Sequence, residues 1–380
     1  MTHPHPLIRH LFINKYDNTY TADYLLQLNE LKKYNINFKR HGNLIIFNYI
    51  STDNSNNILQ NVSKGTIIDL VKKNIVCNSI NGDIKYEYFK NMVPIQNCVI
   101  EENIEGTLLN VYFYNNRWNV SSRFCINADE SRYRSNKTFR QLFDSLVKID
   151  DLSLNNKYTY SFKLITPENR QVLPIKKPIL YHIETTNNIT CEKIYSDIGV
   201  QKPKILFHYK YNHNLNLNNY KELEVHINNL EWYKKGYALF SEDRKIKSSL
   251  LNSEYNKIKL LTYNQSDIRF ICLESLYYKK NKNIILKYYP EFKIDFNLQK
   301  KKFDKLVNKV YNLYVNCKCK KLNVQIPIHL EKTIRKLHQI YKKNINDSNN
   351  FKIKKMDVRN YLLSLECSQL FIFINNCEKL

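Results

Sequence analysis

The side chains able to do chemistry in this chain are mainly amines. Of 380 residues, 59 are Lys or Arg, against 35 Asp or Glu. The nine cysteines (77, 98, 125, 191, 272, 317, 319, 367 and 377) are scattered and odd in number. None has the CxxC…CxxC or CxxC…HxxxH spacing that gathers four ligands around zinc. The one close pair, in NCKCKK at 316–321, is flanked by lysines that repel a cation. Histidines cluster as HPH at 3–5 and HYKYNHN at 208–214, without the i, i+4 spacing of a helical metal site. Loop histidines in solvent are the expectation. No G-x-G-x-x-G, G-x-x-x-x-G-K or G-x-S-x-G is present, so neither a phosphate-cradling loop nor a nucleophile elbow is expected. Tyrosines interleave with lysines in YKYNHNLNLNNY, LYYKK and KYYPEF. Such a pattern suits stacking on single-stranded bases, at ~1–3 kcal/mol per base, and an AT-rich coding bias explains it equally well.

The formal charge of +24 draws polyanions, with RNA, DNA and acidic membrane as the candidates, and carries no information on fold. At 43% hydrophobic residues the chain has ample material for a core, and six glycines with nine prolines argue against linker-rich or low-complexity architecture. MTHPHPLIRHLF has no apolar stretch of signal-peptide length, and no run approaches ~18 apolar residues. Dispersed thiols suit a reducing compartment. The expectation is a soluble protein without membrane contact, in the cytoplasm or at a viral replication site there.

Strand patterning dominates up to about residue 245. NLIIFNYI (43–50), GTIIDLV (65–71), the stretch 106–124, KYTYSFKLI (157–165) and KPILYHIET (177–185) are β-branched and aromatic, with Asn115-Asn116 where a hairpin turn belongs. Helical periodicity marks 21–34 and 137–149, the latter starting just after Ser135-Asn136. From about residue 265 the pattern is helical throughout. In FNLQKKKFDKLVNKVYNLYVNCK, Phe303, Leu306, Val310, Leu313 and Tyr314 share one face between lysines.

Five segments in order give this plan a second reading. NLIIFNYI…VSKGTIIDL, YEYFKN, NIEGTLL, YTYSFKLITPENRQVLP and KKGYALFSEDRKIKSS together resemble the motif series of the RNA-ligase-like covalent nucleotidyltransferases. Phage-type RNA ligases and ligase-like proteins of large DNA viruses are the nearest in style, and order and spacing agree over roughly residues 40 to 250. The resemblance implies an α+β fold: an adenylation domain of antiparallel sheets with helices (1–260), then an all-helical C-terminal domain (261–380). It also implies a reaction. A lysine amine attacks the α-phosphate of ATP, carries AMP, and passes it to an RNA 5′-phosphate, with Mg2+ held by carboxylates and lysines gripping phosphates.

This chain departs from that pattern at its charged positions. Asn103 stands at the place of the nucleophilic lysine, and an amide nitrogen, its lone pair delocalised, cannot attack phosphorus. Lys163 and Lys235 stand where the family has glutamates, and Lys64 replaces an arginine, keeping the charge but not the fork. Glu105, Gly106, Lys245 and Lys247 match. Two acids exchanged for two ammoniums shift local charge by about +4, which disfavours a divalent cation and favours a bare phosphate.

No catalytic residue and no metal ligand are therefore expected. The expected phosphate-binding set is Lys64, Glu105, Gly106, Arg123, Lys163, Lys235, Lys245 and Lys247. Partners would be RNA or another nucleic acid, or a nucleotide, with a protein partner for the helical domain. Two alternatives stay open. A lysine relocated from 90, 163 or 235 could act with ATP and Mg2+, or the pocket could be vestigial in an interaction protein. Trp118 is expected to pack in the core, and Glu168 and Arg170 to share a turn as an ion pair or a site.

Overall fold

The computed structural model describes residues 3–13, 24–49, 57–211, 215, 217–262, 265–347 and 351–378, and the chain divides into two compact units, Met1–Leu260 and Leu261–Leu380. The first begins with helices α1 (Pro6–Phe12) and α2 (Tyr24–Leu31). An antiparallel meander of β1 (Ile36–His41), β2 (Leu44–Tyr49), β3 (Thr66–Asp69) and β4 (Asn74–Cys77) follows, with α3 (Ile58–Asn61) between β2 and β3. β2 is buried along its whole length. Its Ile45 and Phe47 pack with Leu7, Leu11, Phe12 and Leu28 of the helices. Leu44 and Ile46 pack with Ile67, Val76 and Tyr112 on the opposite face. A strand covered on both faces carries a continuous apolar run, which is why LIIF shows no alternation.

Next come α4 (Tyr86–Met92), β5 (Cys98–Glu102), β6 (Thr107–Tyr114), β7 (Arg117–Ser122), α5 (Phe139–Asp144), β8 (Tyr158–Ile165), β9 (Ile179–Asn187), β10 (Lys193–Ile194) and β11 (Ile205–His208). α6 (Tyr220–Asn228), β12 (Gly236–Ser241), β13 (Lys247–Leu251) and α7 (Ser253–Leu261) complete the unit. These strands make two more antiparallel sheets, ordered β10-β9-β8-β6-β7 and β11-β5-β12-β13. The first is cored by Leu109, Val111, Phe162 and Leu164 against Phe139, Leu142 and Phe143 of α5. The second is cored by Ile100, Phe207 and Leu239 against Phe89 of α4 and Leu223 and Ile227 of α6. Sequence neighbours β5 and β6 thus lie in different sheets. Residues 103–106 make the crossing, and the side chains with candidate chemistry gather there.

The second unit comprises α8 (Ile268–Tyr277), α9 (Lys282–Tyr288), α10 (Lys293–Tyr314), α11 (Ile328–Asp347), α12 (Lys355–Leu363) and α13 (Cys367–Glu378). Phe303, Leu306, Val310 and Tyr314 of α10 meet Leu330, Ile334 and Leu337 of α11 and Val358, Leu362, Leu370 and Ile374 of the last two helices. Leu313 is partly buried against them. No helix among the described residues is long and apolar enough to cross a membrane.

The α+β class, the antiparallel sheets and the helical C-terminal part agree with the sequence expectation. Asn115 and Asn116 form the turn between β6 and β7 with φ of 49° and 56°, the left-handed pair that a two-residue hairpin demands. Trp118 packs edge-on against Phe113 at 5.2 Å and Tyr160 at 6.3 Å. Two helices are shorter than periodicity predicts. The 21–34 segment is α-helical only from Tyr24 to Leu31 and ends in a 3₁₀ turn, Lys32–Tyr34, with residues 21–23 outside the described part. The 137–149 segment is helical only from Phe139 to Asp144. Its N-cap is Thr138, in a capping box with Gln141, and not the Ser-Asn pair upstream. Thr138→Ala is expected to lower the stability of the first unit by about 1 kcal/mol. Urea unfolding followed by tryptophan fluorescence measures this, since both tryptophans, Trp118 and Trp232, lie in that unit.

Candidate functional site

Gly106 makes the crossing between sheets possible. Its φ is +110°, and a Cβ there would lie 2.5 Å from the Leu164 carbonyl oxygen of β8, so only glycine fits. Just before it, the Asn103 amide hydrogen is held by the Gly236 carbonyl at the start of β12 (3.0 Å). That anchors the Asn103 side chain between β12 and β13. Its Nδ2 donates to Ser249 Oγ (3.0 Å), and its Oδ1 accepts from Lys235 Nζ (2.7 Å). Ser249 donates onward to Asp83 Oδ2 (2.6 Å), and Lys247 Nζ lies 3.3 Å from Asp83 Oδ1. The donor pattern admits one amide orientation, because an ammonium cannot accept a hydrogen bond. One polar chain therefore runs from Lys235 through Asn103, Ser249 and Asp83 to Lys247.

Three further cations join it. Lys163 of β8 donates to the Gly106 carbonyl (3.2 Å). Lys64, in the loop before β3, lies within electrostatic reach of Asp83, Lys247, Arg123 and Lys235. Arg123, just past β7, donates from Nη2 to the Tyr49 carbonyl (2.5 Å) and lies over the rings of Tyr49 (4.8 Å) and Phe124 (5.0 Å). Its Nε is buried with no hydrogen-bond partner. Lys64, Lys163, Lys235, Lys247 and Arg123 thus share one region with Asp83.

Burial at this density of like charge disfavours protonated amines. Desolvation, with the neighbouring Lys247, Arg123 and Lys235, pushes Lys64 down to about 7 against the pull of Asp83. Burial takes Lys235 down to about 8 and Lys163 well below the usual lysine range. Burial opposes ionisation of Asp83, but Lys247, Lys64, the Ser249 hydrogen bond and Lys235 outweigh it and hold the carboxyl far below its ordinary value.

Glu105 and Lys245 are placed differently from the cluster. The Glu105 carboxylate is 5% exposed and accepts from the amides of Val172 (3.3 Å to Oε2) and Leu173 (3.1 Å) and from the Tyr255 hydroxyl of α7 (2.9 Å). Its oxygens are occupied in pinning the 166–173 loop and α7 to the crossing. Lys245 has a 78% exposed side chain in the turn before β13, 3.5 Å from Asp243, and does not join the cluster. Lys90, one of the amines considered for a relocated role, sits on α4 with Glu87 (2.8 Å) and Glu224 (3.4 Å). Arg170 donates to the Val172 carbonyl, and Glu168 lies 3.9 Å from Lys137. His5 is buried and caps α1 by accepting from the Leu7 amide. It is a structural histidine, not a solvent-exposed one, while 212–214 of the other histidine stretch lie outside the described residues. Asp83 and Tyr255 lie outside the five segments, and Ser249 is the last residue of one without being a candidate; only their tertiary positions bring them to the site.

Beside the cluster lies a cavity of about 430 Å³. Its lining includes Asn103, Glu105 and, of the clustered cations, Lys235, together with Leu173, Tyr181, Tyr233 and Tyr237. An apolar, aromatic-walled recess next to clustered amines suits a ligand with a planar ring and phosphates. A divalent cation does not fit here. Glu105 already accepts three donors, Asp83 faces lysine amines, and no group of three metal-ligating side chains occurs among the described residues.

With this geometry established, comparison with known proteins gives partial similarities. No protein-family model matches the chain. Over 239 residues it is 22% identical to an immediate-early protein ICP-46 homolog of Invertebrate iridescent virus 3, which covers 60% of this chain and 52% of that protein. Over 111 residues it is 30% identical to a putative bifunctional polynucleotide kinase/RNA ligase of Autographa californica nuclear polyhedrosis virus, covering 26% of this chain and 16% of the relative. Among solved structures, it is similar to a mutant of Naegleria gruberi RNA ligase with ATP and Mn, at TM-score 0.38 and 12% identity over 49% of this chain and 58% of the other. The same ligase with PPi aligns at TM-score 0.35 and 13% identity, over 45% and 53%. The chain thus spans about half of the first curated relative and a smaller part of the second.

Two outcomes follow from the cluster. Asn103→Lys would set an ammonium against Lys235, and it should lower the thermal midpoint of the first unit by ~3 °C or more, about 1 kcal/mol. Adding Lys235→Glu should restore it, with tryptophan fluorescence as the readout. The second outcome concerns pH. Lys64 and Lys235 titrate near 7 and 8 when folded but in the ordinary lysine range when unfolded, so the unfolded chain binds more protons between those limits. Stability should therefore rise from pH 7 to pH 9, and Lys64→Met should flatten that rise.

Proposed function

We propose that the first unit is an RNA-ligase-like nucleotidyltransferase domain that binds a nucleotide, or the 5′-phosphate of an RNA end, without forming a covalent adenylate at position 103. The observation that carries this reading is the Asn103 carboxamide, held at both ends by Lys235 and Ser249 amid four lysines and an arginine. The ordered motifs and the similarity to a viral kinase/RNA ligase support the family assignment. The amines would supply the charge neutralisation that a metal supplies elsewhere, with the aromatic recess taking the base.

One observation favours a second reading, an active ATP-dependent transferase with a relocated nucleophile. Lys235 Nζ lies 2.7 Å from Asn103 Oδ1, and burial lowers its pKa to about 8, so a useful fraction is neutral near pH 8. The purified chain is incubated with α-labelled ATP and Mg2+, then run on a denaturing gel. The first reading expects reversible ATP binding, weakened about tenfold or more by Lys64→Gln/Lys235→Gln, and no labelled band. A strong acid-labile band that disappears in Lys235→Ala replaces it with the second. Absence of any nucleotide or 5′-phosphorylated RNA binding rejects both and leaves the pocket vestigial, with a protein partner of the helical unit as the remaining function.

A further inference from the structure

The charge of the chain is unevenly divided. Residues 261–380 hold 24 Lys and Arg against 10 Asp and Glu, so at least fourteen of these cations cannot be paired one-to-one within the segment. α10 carries six of them and α11 five, and on α11 they share one face. Taking 100° per residue, Lys332, Arg335, Lys336, Lys342 and Lys343 fall within an arc of about 120°, and each is exposed. From Lys332 to Lys343 the row is about 16 Å long. No acid interrupts the arc. Glu331 borders it and bonds Arg335 (2.8 Å), and the four lysines have no acidic partner among the described residues. The opposite face is spent on the core, where Leu330, Thr333, Ile334 and Leu337 are buried.

Like charges at i, i+3 and i, i+4, as at 332, 335 and 336, work against the helix that carries them. A linear polyanion laid along the row relieves that repulsion. We infer that the exposed face of α11 is a second, sequence-independent binding surface for the phosphodiester backbone of a nucleic acid. It is separate from the lysine cluster of the first unit and does not rest on the function proposed for that cluster. Two other anionic partners fit less well. Insertion into a membrane surface needs a free apolar face, and that of α11 is occupied by the unit's own core. A protein interface is depleted in lysine and built on aromatic anchors, and this arc has none.

The test uses the full chain and a fluorescein-labelled 20-nucleotide RNA bearing a 5′-hydroxyl, so that end-phosphate recognition does not contribute. Anisotropy is followed from 50 to 250 mM KCl, with the single strand and with its duplex. Lys332→Gln/Lys336→Gln/Lys343→Gln should weaken binding about 10- to 100-fold near 100 mM salt and reduce the log–log salt slope by about 2 to 3. The corresponding Lys→Arg triple should keep both, and circular dichroism should show the Gln variant folded. Removing equal charge from the first unit, with Lys148→Gln/Lys157→Gln/Lys177→Gln, should change affinity less than twofold. A loss confined to single strand or duplex identifies that form as the ligand. Wild-type affinity and slope in the α11 variant overturn the assignment, as does an equal loss in the first-unit control. So does α11-dependent binding to phosphatidylserine vesicles with no binding to RNA.

Discussion

One carboxamide ties the crossing after β5 to the residue before β12 and to β13. Asn103 offers an oxygen to the Lys235 ammonium and a hydrogen to Ser249, which passes a hydrogen to Asp83. An amine at that position would be a donor facing a donor, and a carboxylate would lose the bond to Ser249 that orients Asp83. Only a side chain with one acceptor end and one donor end closes the chain from Lys235 to Lys247. The cluster is stable because Asp83 and this amide separate the cations, and because burial leaves several of the amines partly neutral. The feature that rules out attack on phosphorus at this position is thus the one that permits so many lysines to lie close together.

Glu105 has a structural task at the crossing. Here its oxygens accept two loop amides and a tyrosine hydroxyl and fix the wall of the neighbouring cavity. With that carboxylate occupied, Lys64, Lys163, Lys235, Lys247 and Arg123 face Asp83 as the one acid of the cluster. The same electrostatics act at α11, without burial. There the exposed cations face one another along the helix, and a polyanion laid over the row relieves that repulsion.

Hairpin β6–β7 was legible because Asn115-Asn116 tolerates left-handed backbone, and strands β2, β3, β8 and β9 because their side chains are β-branched or aromatic. The stripe of Phe303, Leu306, Val310 and Tyr314 announced a buried helix face. Helix ends were read less well. Thr138 wins the cap of α5 because Gln141 stands three residues on to close the box, and polar residues upstream gave no hint of that choice. Lys245 matched a motif as well as Lys247 did, yet two residues of turn turn one side chain into solvent and bring the other to Asp83.

The sequence by itself determined the class of structure, the excess of positive charge and the absence of an amine at position 103, since these depend on residue types and local periodicity alone. Tertiary structure decided which lysines meet, that Asp83 and Ser249 complete their chain, and that Glu105 is spent on its surroundings. Those outcomes depend on groups 67 to 166 residues apart lying within about 3.3 Å of one another, and no local pattern encodes such a distance.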